Sequence, residues 1–173
     1  VRLNDMLPRE RVVVTDGGNF LAWPCMYLDV PGPDHLVLVG TAFESIGLGF
    51  GSAVGVVEAA GDRLTVLVTG DGGGLMALSD AESVLRRVNA TGGRCVIVVV
   101  NDAAYGAEIH KLRADGLSDK GGVYGRNDLA RMAEGFGIRG AVVNSLDALP
   151  GLIDEFARGT GAMLLDIQIS DEV

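Results

Sequence analysis

Five consecutive β-branched residues, Val96-Ile97-Val98-Val99-Val100, preceded by Cys95, constrain this chain more than any other feature. β-Branched side chains favour the extended backbone. A strand with one wet face alternates apolar and polar residues. A run with no polar member needs cover on both faces, as in a parallel sheet sandwiched between helices. Leu64-Thr65-Val66-Leu67-Val68 also reads as a strand, as do Val12-Val13-Val14, Leu36 to Val39, Ala141-Val142-Val143 and Ala162 to Ile169. Helical segments fall between them. Over Ser79 to Val88, Ala81, Val84, Leu85 and Val88 share a face, with Asp80 and Glu82 in the first turn and Arg86 and Arg87 in the last. Asn127 can cap a helix carrying Leu129, Met132, Ala133 and Phe136 that ends at Gly135 or Gly137, and Leu149 to Phe156 is helical. Ile46 to Ala60 is apolar almost throughout, with glycines at 47, 49, 51 and 55, and predicts a buried helix packed closely on the sheet. Lys111 to Tyr124 has no clear pattern and predicts a mobile loop near the site. The alternation predicts one α/β domain, a three-layer αβα fold with a doubly wound parallel sheet, whose ligands bind at the carboxyl ends of the strands.

Composition narrows the function classes. The chain has 173 residues, enough for one core, and 48% are hydrophobic, which argues against disorder. A net charge of −9 argues against a nucleic-acid or membrane-surface binder. No apolar run approaches the roughly 20 residues that span a bilayer. Cys25 and Cys95 are the only cysteines and form no CxxC pair, which predicts reduced thiols and a cytoplasmic protein. The chain opens at Val1 with no signal-like segment, the expectation for a piece of a longer polypeptide. Its 26 glycines show no G-X-Y period, so they serve special backbone positions.

Two strands end in acidic, turn-forming clusters: Gly70-Asp71-Gly72-Gly73-Gly74 and Asn101-Asp102-Ala103-Ala104-Tyr105-Gly106. The 28 residues between Gly72 and Asn101 match one helix plus one strand. Both clusters then lie at one edge of the sheet, with Asp71 and Asp102 facing a common point. Two converging carboxylates repel unless a cation lies between them, and a hard cation such as Mg²⁺ takes carboxylate and carbonyl oxygens and often a phosphate. Gly72, Gly73 and Gly74 leave backbone N–H groups open to an anion. Together these predict a diphosphate held through Mg²⁺. Two ordinary turns with capping aspartates would also account for the spacing. A dinucleotide fingerprint is a further reading, because Gly72-x-Gly74-x-x-Ala77 follows a strand. It places Asp71 beside an unmetallated pyrophosphate and leaves the Ile46 segment unexplained.

GDG followed after about thirty residues by an Asn-Asp pair resembles the cofactor motif of thiamine-diphosphate-dependent enzymes. From Asp16 to the last strand, the chain is similar to the C-terminal, diphosphate-binding domain of the acetolactate synthase, pyruvate decarboxylase and benzoylformate decarboxylase family. The resemblance implies that residues 1–173 are this domain of a longer polypeptide. It implies Asp71, Asp102 and the Ala104 carbonyl as metal contacts, with Asp102 replacing the family's usual Asn. Ser45 to Gly55 resembles the family's Gly-apolar-Gly stretch and its small-residue helix, so Ile46 would prop the cofactor in its bent form. Backbone at Glu44 and Ile46 would meet the aminopyrimidine. Asn19, Phe20, Gly70, Gly72, Gly73 and Tyr105 would line the cofactor. Glu108 would face the substrate as a proton donor or acceptor, with His110 near it, and Arg113 and Lys120 are weaker candidates for a substrate carboxylate.

The resemblance implies an enzyme that decarboxylates a 2-oxo acid and ligates the product to a carbonyl acceptor, a transferase of acetolactate-synthase type. Two alternatives are a simple decarboxylase (a carboxy-lyase), which Tyr105-Gly106-Ala107 favours, and a non-catalytic regulatory domain of the same fold. The family's activating glutamate lies in a separate pyrimidine-binding domain, which nothing here matches. The implied partner is therefore an upstream domain or a separate subunit, in a homodimer or homotetramer, and the isolated domain is expected to be inactive.

Overall fold

The computed structural model describes residues 1–43 and 45–170. Six parallel strands form one sheet: β1 (Arg11–Thr15), β2 (Leu36–Leu38), β3 (Leu64–Gly70), β4 (Arg94–Asn101), β5 (Arg139–Val143) and β6 (Gly161–Gln168), in the order β2-β1-β3-β4-β6-β5. The helices are α1 (Arg2–Met6), α2 (Ala22–Tyr27), α3 (Gly49–Ala60), α4 (Asp71–Met76), α5 (Asp80–Thr91), α6 (Gly106–Ala114), α7 (Leu129–Glu134) and α8 (Leu149–Ala157). The three-layer, doubly wound expectation holds.

The wholly apolar strands earn their place by covering two cores. On β4, Cys95, Ile97 and Val99 face one core with Phe50, Ala53 and Val57 of α3 and Val84 of α5. Val96 and Val98 face the other, with Leu149, Ile153 and Phe156 of α8. Chain direction reverses across the sheet between β1 and β3, and the carboxyl ends of β1, β3 and β4 stand side by side there. Crevices at such a reversal are where ligands bind in open parallel sheets. Among the described residues no helix is long and apolar enough to cross a membrane.

Several local expectations are corrected. The apolar segment from Ile46 becomes helical only at Gly49. The glycines expected to pack α3 tightly differ: a Cβ on Gly49 would lie 3.0 Å from both Asp16 Cβ and Leu67 Cδ1, whereas Gly55 has nothing within 4 Å. Lys111 to Tyr124 is not one loop. Its first four residues finish α6, and its end pairs with the turn after β4 through an Ala104–Val123 bridge and a Tyr105 N–H to Gly122 carbonyl bond of 2.8 Å. Asp128 rather than Asn127 caps α7, accepting from Arg131 N at 2.8 Å.

Candidate functional site

A cleft of about 490 Å³ opens where β1, β3 and β4 end. Parallel pairing of Gly70 with Val100 sets the two acidic turns side by side. Asp71 starts α4 directly after β3 and is 2% exposed. Its Oδ2 is buried and has no hydrogen-bond partner. Burial raises its carboxyl to about 6, a rise that the Tyr124 hydroxyl opposes and the Asp102 carboxylate adds to. Asp102 follows β4, and its Oδ1 accepts from Ala104 N at 3.3 Å. The Ala104 carbonyl accepts from the Tyr124 hydroxyl at 3.3 Å.

The floor and walls require small residues. A Cβ on Gly72 would lie 2.6 Å from the Tyr105 ring and 3.1 Å from the Tyr124 hydroxyl. One on Gly73 would lie 2.9 Å from Asp16 Oδ2. Tyr105 and Tyr124 pack edge to face with ring centroids 5.0 Å apart. At Gly106, a Cβ would lie 2.7 Å from Asp102 Oδ2 and 3.0 Å from Asn19 Nδ2, so both side chains crowd this position. Phe20 is buried, with its ring against Gly70.

Ile46 lines the cleft from the turn before α3. That turn is fixed by Asp16, a fully buried carboxylate that the sequence reading passed over. Asp16 accepts from Gly17 N at 2.8 Å, Gly47 N at 3.1 Å, Leu48 N at 3.3 Å and Thr69 Oγ1 at 3.1 Å. Its position straight after the β1 apolar run was the available signal. Tyr124 was also missed, and no local pattern marks it.

The predicted residues separate into two groups. Asn19, Phe20, Ile46, Gly70, Asp71, Gly72, Gly73, Asp102, Ala104, Tyr105 and Glu108 all line the cleft. His110 is exposed on α6 and does not line it, nor do Arg113 and Lys120. Arg113 pairs with Asp119 at 2.7 Å. Glu44 lies outside the described residues. Trp23 lines the cleft and stacks on Tyr27, and Met26 and Phe43 are exposed elsewhere on the surface.

Residues 16–167 match the model of the thiamine pyrophosphate enzyme C-terminal TPP-binding domain. The chain belongs to this family. Related sequences include a protein designated an acetolactate synthase large subunit in Mycobacterium tuberculosis, 27% identical over 173 residues. The acetolactate synthase isozyme 2 large subunit of Escherichia coli is 23% identical over 172 residues. The alignments cover 99% and 98% of this chain but 30% of each relative, so the chain spans about a third of their length. Benzoylformate decarboxylase from Polynucleobacter necessarius has the same fold, with a TM-score of 0.86 at 20% identity over 99% of this chain and 32% of that one. A 4-hydroxybenzoylformate decarboxylase from Rhodococcus jostii aligns with a TM-score of 0.84 at 19% identity, covering 98% of this chain and 31% of that one.

The cleft fits the family's cofactor. A buried carboxylate oxygen without a partner, a second carboxylate and a backbone carbonyl are the hard oxygen donors that a divalent cation takes. Among the described residues no three His, Cys, Asp or Glu side chains converge, so the carbonyl and ligand oxygens would complete the set. Gly70, Gly72 and Gly73 line the cleft beside Asp71, where their backbone can face an anionic ligand.

Proposed function

We propose that the domain binds thiamine diphosphate through Mg²⁺ as one half of the active site of a 2-oxo-acid decarboxylating, carboligating enzyme of acetolactate-synthase type. The observation that carries the metal reading is the partnerless Asp71 Oδ2 at the cleft edge, beside Asp102. In this reading Asp71, Asp102 and the Ala104 carbonyl hold the ion. Gly72 and Gly73 present backbone to the diphosphate, and Asn19, Phe20, Gly70 and Tyr105 enclose it. Ile46 supports the middle of the cofactor, and Asp16 keeps Ile46 in place through its two loop amides. The cofactor, when bound, supplies a carbon centre that stabilises the charge left by decarboxylation. Glu108, exposed on the first turn of α6, holds or gives the proton at the substrate end.

The relatives named as acetolactate synthases support the ligating reading. A second reading, simple decarboxylation, rests on the resemblance of Tyr105-Gly106-Ala107, which line the cleft, to the benzoylformate decarboxylases. The activating glutamate would come from a pyrimidine-binding domain, upstream or on another subunit, in a homodimer or homotetramer. The buried Cys95 thiol, pushed up to about 12 by burial, suits a reducing cytoplasm.

Calorimetric titration of thiamine diphosphate into the protein joined to its partner half tests the proposal. Binding that requires Mg²⁺ is expected, and metal-independent or absent binding would overturn it. Product analysis with pyruvate separates the two reactions, because ligation yields acetolactate and simple decarboxylation yields acetaldehyde.

A further inference from the structure

Asp166 is fully buried on β6, a strand none of whose residues lines the cleft. Its neighbours on the strand, Met163, Leu164, Leu165 and Ile167, are apolar. A carboxylate there is expensive, because the donors that bond it directly are neutral and, among the described residues, no cation pairs with it directly. Oδ1 accepts from Asn101 Nδ2 at 2.8 Å, and Oδ2 accepts from Leu129 N at 3.1 Å.

The bond to Asn101 decides which way that amide faces. A carboxylate only accepts, so it must meet the NH₂ group of Asn101. That group also donates to the Asn127 carbonyl at 3.0 Å. Asn101 Oδ1 is therefore turned toward Ala103 N and accepts from it at 3.3 Å. Ala103 is left-handed at φ 64°, alone among the described non-glycine residues. Such a conformation costs about 1 kcal/mol or more and persists only where surroundings enforce it. Ala103 stands between Asp102 and Ala104, the two metal contacts on this turn.

We propose that Asp166 is a positioning residue for the metal: acting through the Asn101 amide, it holds the left-handed turn that aims the Asp102 carboxylate and Ala104 carbonyl at the ion. This rests on the Mg²⁺ reading of the cleft. An amide at position 166 would have to turn its own NH₂ toward either Asn101 or Leu129, both of them donors. With that NH₂ toward Asn101, the Asn101 amide would rotate and release Ala103; with it toward Leu129, the first amide of α7 would lose its acceptor and the packing that holds Asp166 against Asn101 would loosen.

The test measures Mn²⁺ affinity by electron paramagnetic resonance, with thiamine diphosphate present, on the protein joined to its partner half. Asp166→Asn should weaken Mn²⁺ binding by about 10-fold or more, the scale on which groups supporting metal ligands act. Leu164→Ala, on the same strand and equally buried, should lower thermal stability and leave the Mn²⁺ affinity of the folded protein unchanged. Asn101→Ser, which removes the relay and keeps Asp166, should weaken Mn²⁺ to a similar degree and serves if Asp166→Asn does not fold. Parental Mn²⁺ affinity in Asp166→Asn, or in Asn101→Ser, overturns the inference alone. Equal weakening in Leu164→Ala also overturns it, because Asp166 would then only hold the sheet together. A parent protein that binds no Mn²⁺ overturns the functional reading and this inference with it.

Discussion

Asp71 must be ionised to hold a cation, yet its burial and the Asp102 carboxylate favour the proton. Its folded-state value of about 6 exceeds the unfolded value near 3.9, so between those limits the folded state binds more protons. Stability of the metal-free protein therefore falls as pH rises through this range and is regained as pH falls. Asp166, also raised by burial, adds in the same direction. Melting temperature measured in chelator should rise as pH is lowered from 7 to 5, and Asp71→Asn should flatten the rise. The same variant should abolish metal-dependent thiamine diphosphate binding, read by titration calorimetry. That Asp71, Asp102, Ala104 and Ile46 line one cleft was legible because each sits in a contiguous motif at a strand end or helix start. Asp16 and Asp166 were not, because their partners lie 31 and 65 residues away in sequence.

At the scale of elements, the glycines divide by what surrounds them. Gly55 is exposed on α3 and open on all sides, so it costs helix propensity without a packing return. Gly55→Ala should stabilise the protein by about 0.5–1 kcal/mol in denaturant unfolding. Gly49→Ala, which presses on Asp16 and Leu67, should destabilise it by about 1–3 kcal/mol and weaken cofactor binding. At the α7 cap, Asp128→Ala should cost about 1 kcal/mol in the same assay. All six strands were legible, because each carries a short apolar run, β-branched in β1, β4 and β5. The start of α3 was not. Asp16 draws the Gly47 and Leu48 amides away from helical geometry, and Gly47 takes φ 81°, a choice no local pattern announces. The helical start of Lys111 to Tyr124 was hidden by its charge and its glycines, and the return of that segment onto the turn after β4 is a tertiary contact.

For the whole molecule, a parallel sheet places the cleft at its carboxyl edge, and strand order decides which turns share it. The order β1-β3-β4 brings together three segments that the chain separates widely, which only the folded structure displays. The groups proposed for metal and diphosphate line the cleft, while the activating glutamate is proposed to come from the pyrimidine-binding domain. The 173-residue chain alone should therefore turn over no pyruvate in a carbon dioxide release assay, and addition of the partner half should restore turnover. The exposed apolar side chains have a further consequence for the chain kept by itself. Phe43 is 90% exposed, Met26 63% and Trp23 60%, on a body carrying a net charge of −9. Such a solution is a charge-stabilised colloid: like-charge repulsion keeps sticky surfaces apart. Screening shortens its reach from about 8 Å at 0.15 M salt to about 3 Å at 1 M. The osmotic second virial coefficient should fall from positive to negative as sodium chloride is raised, and Phe43→Ser should move the crossing to higher salt.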